Sequence, residues 1–255
     1  MDLYFQGMSV YHKGLIPSHL LEARKLFERA LELDPSNVDA IVGSALANGM
    51  FAGTHMSDDR ATHLRTAETL AIKALSIAPE HALAHQCLGI AQMFTYRAAQ
   101  GISELERALS INRNLAAAHA YIGLAKNFIG RGEETAGHIE DALRLSPRDT
   151  AVNLWQTFGG SVKVFQGKNE EAVAQLRHAI EANRNSAVPH FYLAVALEAL
   201  GRRDEARNEA RELLSIDPTF TIRRYRADEP TDNPIFLAAR RRVYEMMGRV
   251  GIPEG

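Results

Sequence analysis

Apolar and polar positions alternate along this chain with the period of a helix, in segments that close on a proline or an arginine. The stretch GRGEETAGHIEDALRLSP, ending at Pro147, shows the pattern. Turn glycines, Gly130 and Gly132, are followed by the acidic Glu133 and Glu134, where the positive end of a helix dipole favours them. Apolar Ile139, Ala142, Leu143 and Leu145 then share a face, and Pro147 stops the helix. The pattern returns in LEARKLFERALELDP, ending at Pro35, in LRTAETLAIKALSIAP, ending at Pro79, and in EARNEARELLSIDP, ending at Pro218. A segment that recurs needs its neighbours to bury its apolar stripe, so the chain reads as a stack of like units.

The closing residues give the register. Pro35 to Pro79 spans 44 residues, Pro79 to Arg113 and Arg113 to Pro147 span 34 each, Pro147 to Arg184 spans 37, and Arg184 to Pro218 spans 34. In this register Ala23, Ala67, Gly101, Thr135, Ala172 and Ala206 share one small position. Phe27, Ala71, Leu105, Ile139, Leu176 and Ala210 share the next position inward. Ala30, Ala74, Ala108, Ala142 and Ala179 share a second small position, with Leu213 as its exception. Upstream of each such helix a first helix is predicted, with Ala45, Gly89, Gly123 or Ala194 where close approach of the partner helix requires a small residue.

A 34-residue period with these small, large and small positions resembles the tetratricopeptide repeat family. The resemblance covers residues 8–218 as about five and a half repeats, with boundaries near 36, 80, 114, 148 and 185. It implies an all-α fold: an α-solenoid of antiparallel helix pairs, wound as a right-handed superhelix with a concave groove and closed by a C-terminal capping helix. Three departures are expected to show. Val10–Leu15 is only the end of a first helix; ten extra residues fall near Gly49–Asp58; and three extra residues fall near Asp149–Trp155. Thr219–Asn233 reads as extended, and Ile235–Met247 as the capping helix, with Phe236, Ala239, Val243 and Met246 on one face and Arg240, Arg241 and Arg242 suited to a polar outer side.

Composition narrows the function. The 255 residues are 46% hydrophobic, 24% charged and only 7% aromatic, and the formal charge of −2 offers no general attraction to nucleic acid or acidic membranes. Arg223, Arg224 and Arg226 with Arg240–Arg242 form a basic concentration, but Asp228, Glu229, Asp232 and Glu245 dilute it, so a solvated cap face is preferred to a phosphate-binding one. The single cysteine, Cys87, excludes a disulfide framework within the chain and suits a reducing, cytoplasmic compartment. No apolar run is long enough to cross a membrane. The leading residues 1–7 resemble an expression-tag remnant, Leu3-Tyr4-Phe5-Gln6-Gly7 being like a viral-protease cleavage sequence, which makes Met8 the first residue of native origin.

No hydrolase, zinc-protease, phosphate-loop or CxxC arrangement occurs, so no catalytic residue, cofactor or metal is assigned and the chain is read as non-enzymatic. His81 and His85 have the spacing of a metal pair, and His119 and His190 repeat the position of His85. No carboxylate or cysteine pattern completes a shell, and imidazole as a packing group is the preferred reading. Cys87 is expected to be buried and inert.

In the resembling family the second, fifth, ninth and twelfth positions of each repeat line the concave wall. This implies a partner groove of Leu83, Gln86, Ile90 and Met93, then Ala120, Leu124 and Asn127, then Phe191, Val195 and Glu198. Of the Lys and Asn set that clamps a terminal carboxylate in some members, only Asn127 is present, so an apolar wall for a helical or extended apolar segment is expected instead. HIEDALRLSPRD, EEAVAQLRHAI, ALEALGRRDEARNEARELLSIDPTFTI and the closing GIPEG are in turn similar to the C-terminal tetratricopeptide region of bacterial multidomain signalling proteins. There, such a region follows a class III nucleotide cyclase or winged-helix domain. The implied partner is a protein or peptide, including a domain of the chain's own parent. A homodimerising module and a small-ligand sensor of a cyclase stand as alternatives.

Overall fold

The structure, a computed structural model, describes residues 2–14, 16–53 and 59–255. All regular structure among them is helical. First and second helices of successive repeats are α1 (Leu3–Tyr11) and α2 (Pro17–Leu33), α3 (Val38–Gly53) and α4 (Arg60–Ile77), α5 (Ala82–Met93) and α6 (Ala98–Ile111), α7 (Ala116–Phe128) and α8 (Thr135–Leu145), α9 (Val152–Gln166) and α10 (Asn169–Ala182), and α11 (Ala187–Ala199) and α12 (Arg203–Ile216). A short α13 (Ile222–Ala227) and a longer α14 (Pro234–Arg249) follow. The chain divides into two compact units. One runs to Ile122 and takes in Arg148–Ala151; the other holds Gly123–Pro147 and Val152–Gly255.

The turns that end the second helices have a local cause. Asp34, Ala78, Ser146 and Asp217 precede prolines, which disfavour helical backbone, and all four leave the helix toward extended geometry. Asn112 and Asn183 do the same before Arg113 and Arg184 without a proline. There the side chain substitutes: Asn112 Oδ1 accepts from the Asn114 amide at 3.1 Å and Asn183 Oδ1 from the Asn185 amide at 3.0 Å, as Asp34 does from Ser36 and Asp217 from Thr219. An Asx turn thus closes these helices whether or not a proline follows.

The registered small positions are where helix pairs meet. Ala23, Ala67, Ala172 and Ala206 are buried, as are Phe27, Leu105, Ile139 and Leu176 one turn further in. At the α5–α6 crossing, a Cβ on Gly89 would lie 2.7 Å from the Gly101 carbonyl oxygen, and one on Gly101 would lie 2.6 Å from that of Gly89. Two backbones therefore touch, which only glycine permits. Thr135 takes its small position by donating its hydroxyl to the Gly123 carbonyl at 2.6 Å.

Several expectations are revised. The first helix occupies Leu3–Tyr11 and ends before His12, while residue 15 lies outside the described residues: Asp2 caps it through the Tyr4 amide at 2.9 Å, and Tyr4, Met8, Val10 and Tyr11 pack around Ala23 and Phe27. Residues resembling a tag therefore complete the first helix of repeat 1. Of the ten-residue insertion, Gly49–Gly53 extends α3, and residues 54–58 lie outside the described residues. The extra residues of repeat 5 lengthen its first helix, α9 having 15 residues where α11 has 13. Within Thr219–Asn233, read as extended, Ile222–Ala227 is helical, because the Thr221 hydroxyl caps the Arg224 amide at 3.1 Å while Ile222 and Tyr225 bury on one side. In α14, Met247 is buried where Met246 was expected, and Arg240 points inward rather than to a polar outer side.

Candidate partner-binding faces

Consecutive first helices pack on one another, α3 on α5 in the first unit and α9 on α11 in the second. Each unit thus has an inner face built from first helices, and the expected groove residues lie on these helices.

In the first unit α5 carries Leu83, Gln86, Ile90 and Met93, and α7 carries Ala120. Leu83 is half-buried, whereas Gln86 is 4% exposed, Met93 0%, and Ile90 and Ala120 are also buried. Large side chains close this region: the Tyr121 hydroxyl lies 3.5 Å from the Met50 sulfur, and burial raises the Tyr121 phenol. Gln86 Oε1 is buried with no hydrogen-bond partner among the described residues, an arrangement that costs about 1–3 kcal/mol relative to a satisfied amide. Cys87 beside it is buried, and desolvation pushes its thiol up to about 12, which makes it a poor nucleophile.

In the second unit Leu124, Asn127, Phe191 and Val195 are buried and Glu198 is half-buried. Asn127 Nδ2 is buried without a partner among the described residues, and its carbonyl end lies close to Gly132, where a Cβ would sit 2.8 Å from Oδ1. Phe191 packs its ring 4.5 Å from Tyr192, 4.8 Å from Tyr225 and 5.1 Å from Phe220. Burial and the neighbouring Tyr225 hydroxyl, at 3.0 Å, hold the Tyr192 phenol well above its ordinary value.

Over this inner face lies α14, whose packing partners are α9, α11 and α13. Its Asn233 cap accepts from the Ile235 and Phe236 amides, fixing the start of the helix beside Gly130. Phe236 then packs 5.4 Å from Phe128 and 4.9 Å from Phe165. Arg242 donates to the Phe165 carbonyl at 3.0 Å, satisfying one of the orphan acceptors in the last turn of α9. Arg240 is 3% exposed; it donates to the Tyr225 carbonyl and to the Tyr244 hydroxyl at 2.6 Å, with its guanidinium 4.2 Å from the Tyr225 ring centre. Tyr244 passes the contact on by donating to Glu229 at 2.8 Å.

Phe165, Tyr192, Tyr225 and Arg240 were not among the expected site residues. Phe165 follows the insertion in repeat 5, which displaces the groove positions, and the inward Arg240 had no local signal.

The histidines hold helices together. His85 Nδ1 lies 2.6 Å from Glu104 and Nε2 lies 2.9 Å from the Pro79 carbonyl; His190 Nδ1 lies 2.7 Å from Glu209. Both pairs join the first and second helices of one repeat. His81 accepts from the Ala84 amide at 3.2 Å, capping α5. Among the described residues no group of three or more His, Cys, Asp or Glu is arranged to hold a metal ion, and no helix is long and apolar enough to cross a membrane.

With this geometry in view, the fold is that of tetratricopeptide-repeat solenoids. A tetratricopeptide repeat family model matches residues 166–227. No curated protein matches the chain. TTC0263, a thermophilic tetratricopeptide-repeat protein of Thermus thermophilus, aligns with a TM-score of 0.60 at 20% identity, over 77% of this chain and 98% of that one. PilF of Pseudomonas aeruginosa aligns with a TM-score of 0.56 at 15% identity, over 88% and 94% of the two chains. A chain of the Cut9–Hcn1 hetero-tetramer of the APC/C aligns with a TM-score of 0.65 at 16% identity, over 88% of this chain and 39% of that one. At such identities the likeness concerns the fold.

Proposed function

We propose that this chain is a non-catalytic protein-interaction module whose inner faces receive an amphipathic helix. One observation carries the reading: the inner face of the second unit already holds a helix, α14, through Phe236, Val243 and Met247. The face therefore has the shape and chemistry to accept a helix, as tetratricopeptide folds that act as scaffolds do. In the first unit Leu83 stands at the edge of the face over Gln86, Ile90, Met93 and Ala120; in the second Glu198 stands at the edge over Leu124, Asn127, Phe191 and Val195. Gln86 and Asn127 are buried polar groups of the first and second face respectively.

The similarity to bacterial signalling proteins supports a regulatory role within a larger chain, in which the docking segment belongs to an output domain. The buried thiol of Cys87 agrees with a reducing cytoplasm. Selection of displayed 16-residue amphipathic helices against the protein tests the reading. Enriched sequences are expected to share apolar residues at i, i+3, i+4 and i+7 and to lose binding when Leu83 or Leu124 is changed to Glu. Failure to enrich, or binding indifferent to both substitutions in proteins of intact helicity, refutes it.

A further inference from the structure

We infer that α14 is a displaceable occupant of the inner face of the second unit, standing where a partner helix of the same pattern docks. The inference rests on the helix-docking reading above and adds its regulation and the pattern of its ligand. Topology makes the first point. After α12 the chain passes through the six-residue α13 before α14 begins. The chain then turns back through Asp228–Asn233, and α14 returns to helices far upstream: Arg242 meets Phe165, 77 residues earlier.

Chemistry makes the second. The buried side of α14 reads Phe236, Ala239, Arg240, Val243 and Met247, an i, i+3, i+4, i+7, i+11 stripe of the kind that helix-in-groove ligands present. Phe236 is the aromatic anchor between Phe128 and Phe165, and Arg242 reads the Phe165 carbonyl at the end of α9. The ligand class follows: a helix with an aromatic residue one turn before an arginine and β-branched or unbranched apolar residues after it.

Few of the polar contacts of α14 are made to the inner face itself. Arg240 is buried with tyrosine rings, a carbonyl and a hydroxyl as neighbours, and its charge meets the Glu229 carboxylate only through Tyr244. The rings of Tyr225 and Tyr244 favour that buried charge, so the hydrogen bonds of Arg240 tie α14 to α13 and to itself rather than to α9 or α11. Beyond the helix the closing residues are held by the Ile222 and Arg223 amides, which donate to the Pro253 and Glu254 carbonyls at 2.9 and 3.0 Å, and by the exposed Arg226–Glu254 pair at 3.0 Å. Exposed pairs of this kind contribute little.

The test titrates a fluorescein-labelled synthetic peptide spanning residues 231–252 into the full chain as wild type, Val243→Asp and Arg242→Ala. Val243→Asp expels α14 and is expected to bind the peptide at least tenfold more tightly than wild type. Arg242→Ala, which leaves the packed stripe intact, is expected to gain about threefold. Hydrogen exchange on the wild type should show α14 amides opening as a unit apart from α9–α12. Equal affinity for all three chains overturns the inference while leaving the helix-docking reading standing. Absence of binding to every chain with helicity retained overturns both. Exchange of α14 in step with α9–α12 overturns the inference alone.

Discussion

Replacing Tyr96 by glycine should stabilise this protein, although it removes an aromatic side chain. Tyr96 sits at the turn between α5 and α6 with φ of 62°, and it is the one residue other than glycine with positive φ among the described residues. The corresponding turns of the next three repeats hold Gly130, Gly167 and Gly201 at 83°, 75° and 76°. The repeat therefore fixes a left-handed residue at this place, and of these four turns only the first puts a side chain there. Left-handed backbone costs a non-glycine residue roughly 1–2 kcal/mol, while glycine gives back about 0.4–1 kcal/mol through the greater freedom of its unfolded chain. The expected net gain is about 0.5–1 kcal/mol, since the ring is 62% exposed and has little packing to lose. Tyr96→Ala is the control, keeping the strain while losing the ring, so the difference between the alanine and glycine variants isolates the backbone. Thermal denaturation followed by circular dichroism should place Tyr96→Gly about 2–3 °C above Tyr96→Ala. A glycine variant equal to or below the alanine variant would refute the reasoning.

Single contacts give further expectations. Gly201→Ala, whose Cβ meets nothing within 4 Å, should lose about 1 kcal/mol in denaturant titration through backbone strain alone. Gly101→Ala forces its Cβ against the Gly89 carbonyl and the Met93 amide and should lose about 3 kcal/mol by the same measurement. Glu68 receives both guanidinium nitrogens of Arg97 at 2.7 Å, and these bonds hold its carboxyl below the usual glutamate value. A lowered native pKa contributes stability above the unfolded value that is lost as pH falls through the native one. Glu68→Gln should therefore cost about 1 kcal/mol at neutral pH, discounted for the solvent around Arg97, and a urea series run down toward about pH 3 should show that difference vanish. Cys87 should resist maleimide at about pH 8 until the protein unfolds, because its thiol is buried and pushed up to about 12.

The repeat register was legible because helix approach dictates it. Gly89 and Gly101 touch backbone to backbone, and Ala23, Ala67, Ala172 and Ala206 are buried at the position equivalent to Gly101. Such positions must be small whatever surrounds them, so they stand out from sequence. The apolar side of α14 was legible for the same reason, through its period. Its destination was not, because periodicity shows which face is buried and not what covers it; hence Phe165, Tyr225 and the inward Arg240 were missed. Helix α13 is only six residues long and too short to display a period. The groove positions fall on first helices, yet eight of the ten are buried in the structure, since neighbouring side chains and α14 fill space that family spacing alone leaves open.

The central claim is that the inner faces dock a helix, and photo-cross-linking tests it most directly. A selected helical peptide carrying a benzophenone at its central apolar position is irradiated on the full chain, and the adducts are mapped by mass spectrometry. Adducts are expected on α5, α7, α9 or α11, on or beside the inner-face residues. Adducts confined to the outer helices α4, α6, α10 or α12 would contradict it.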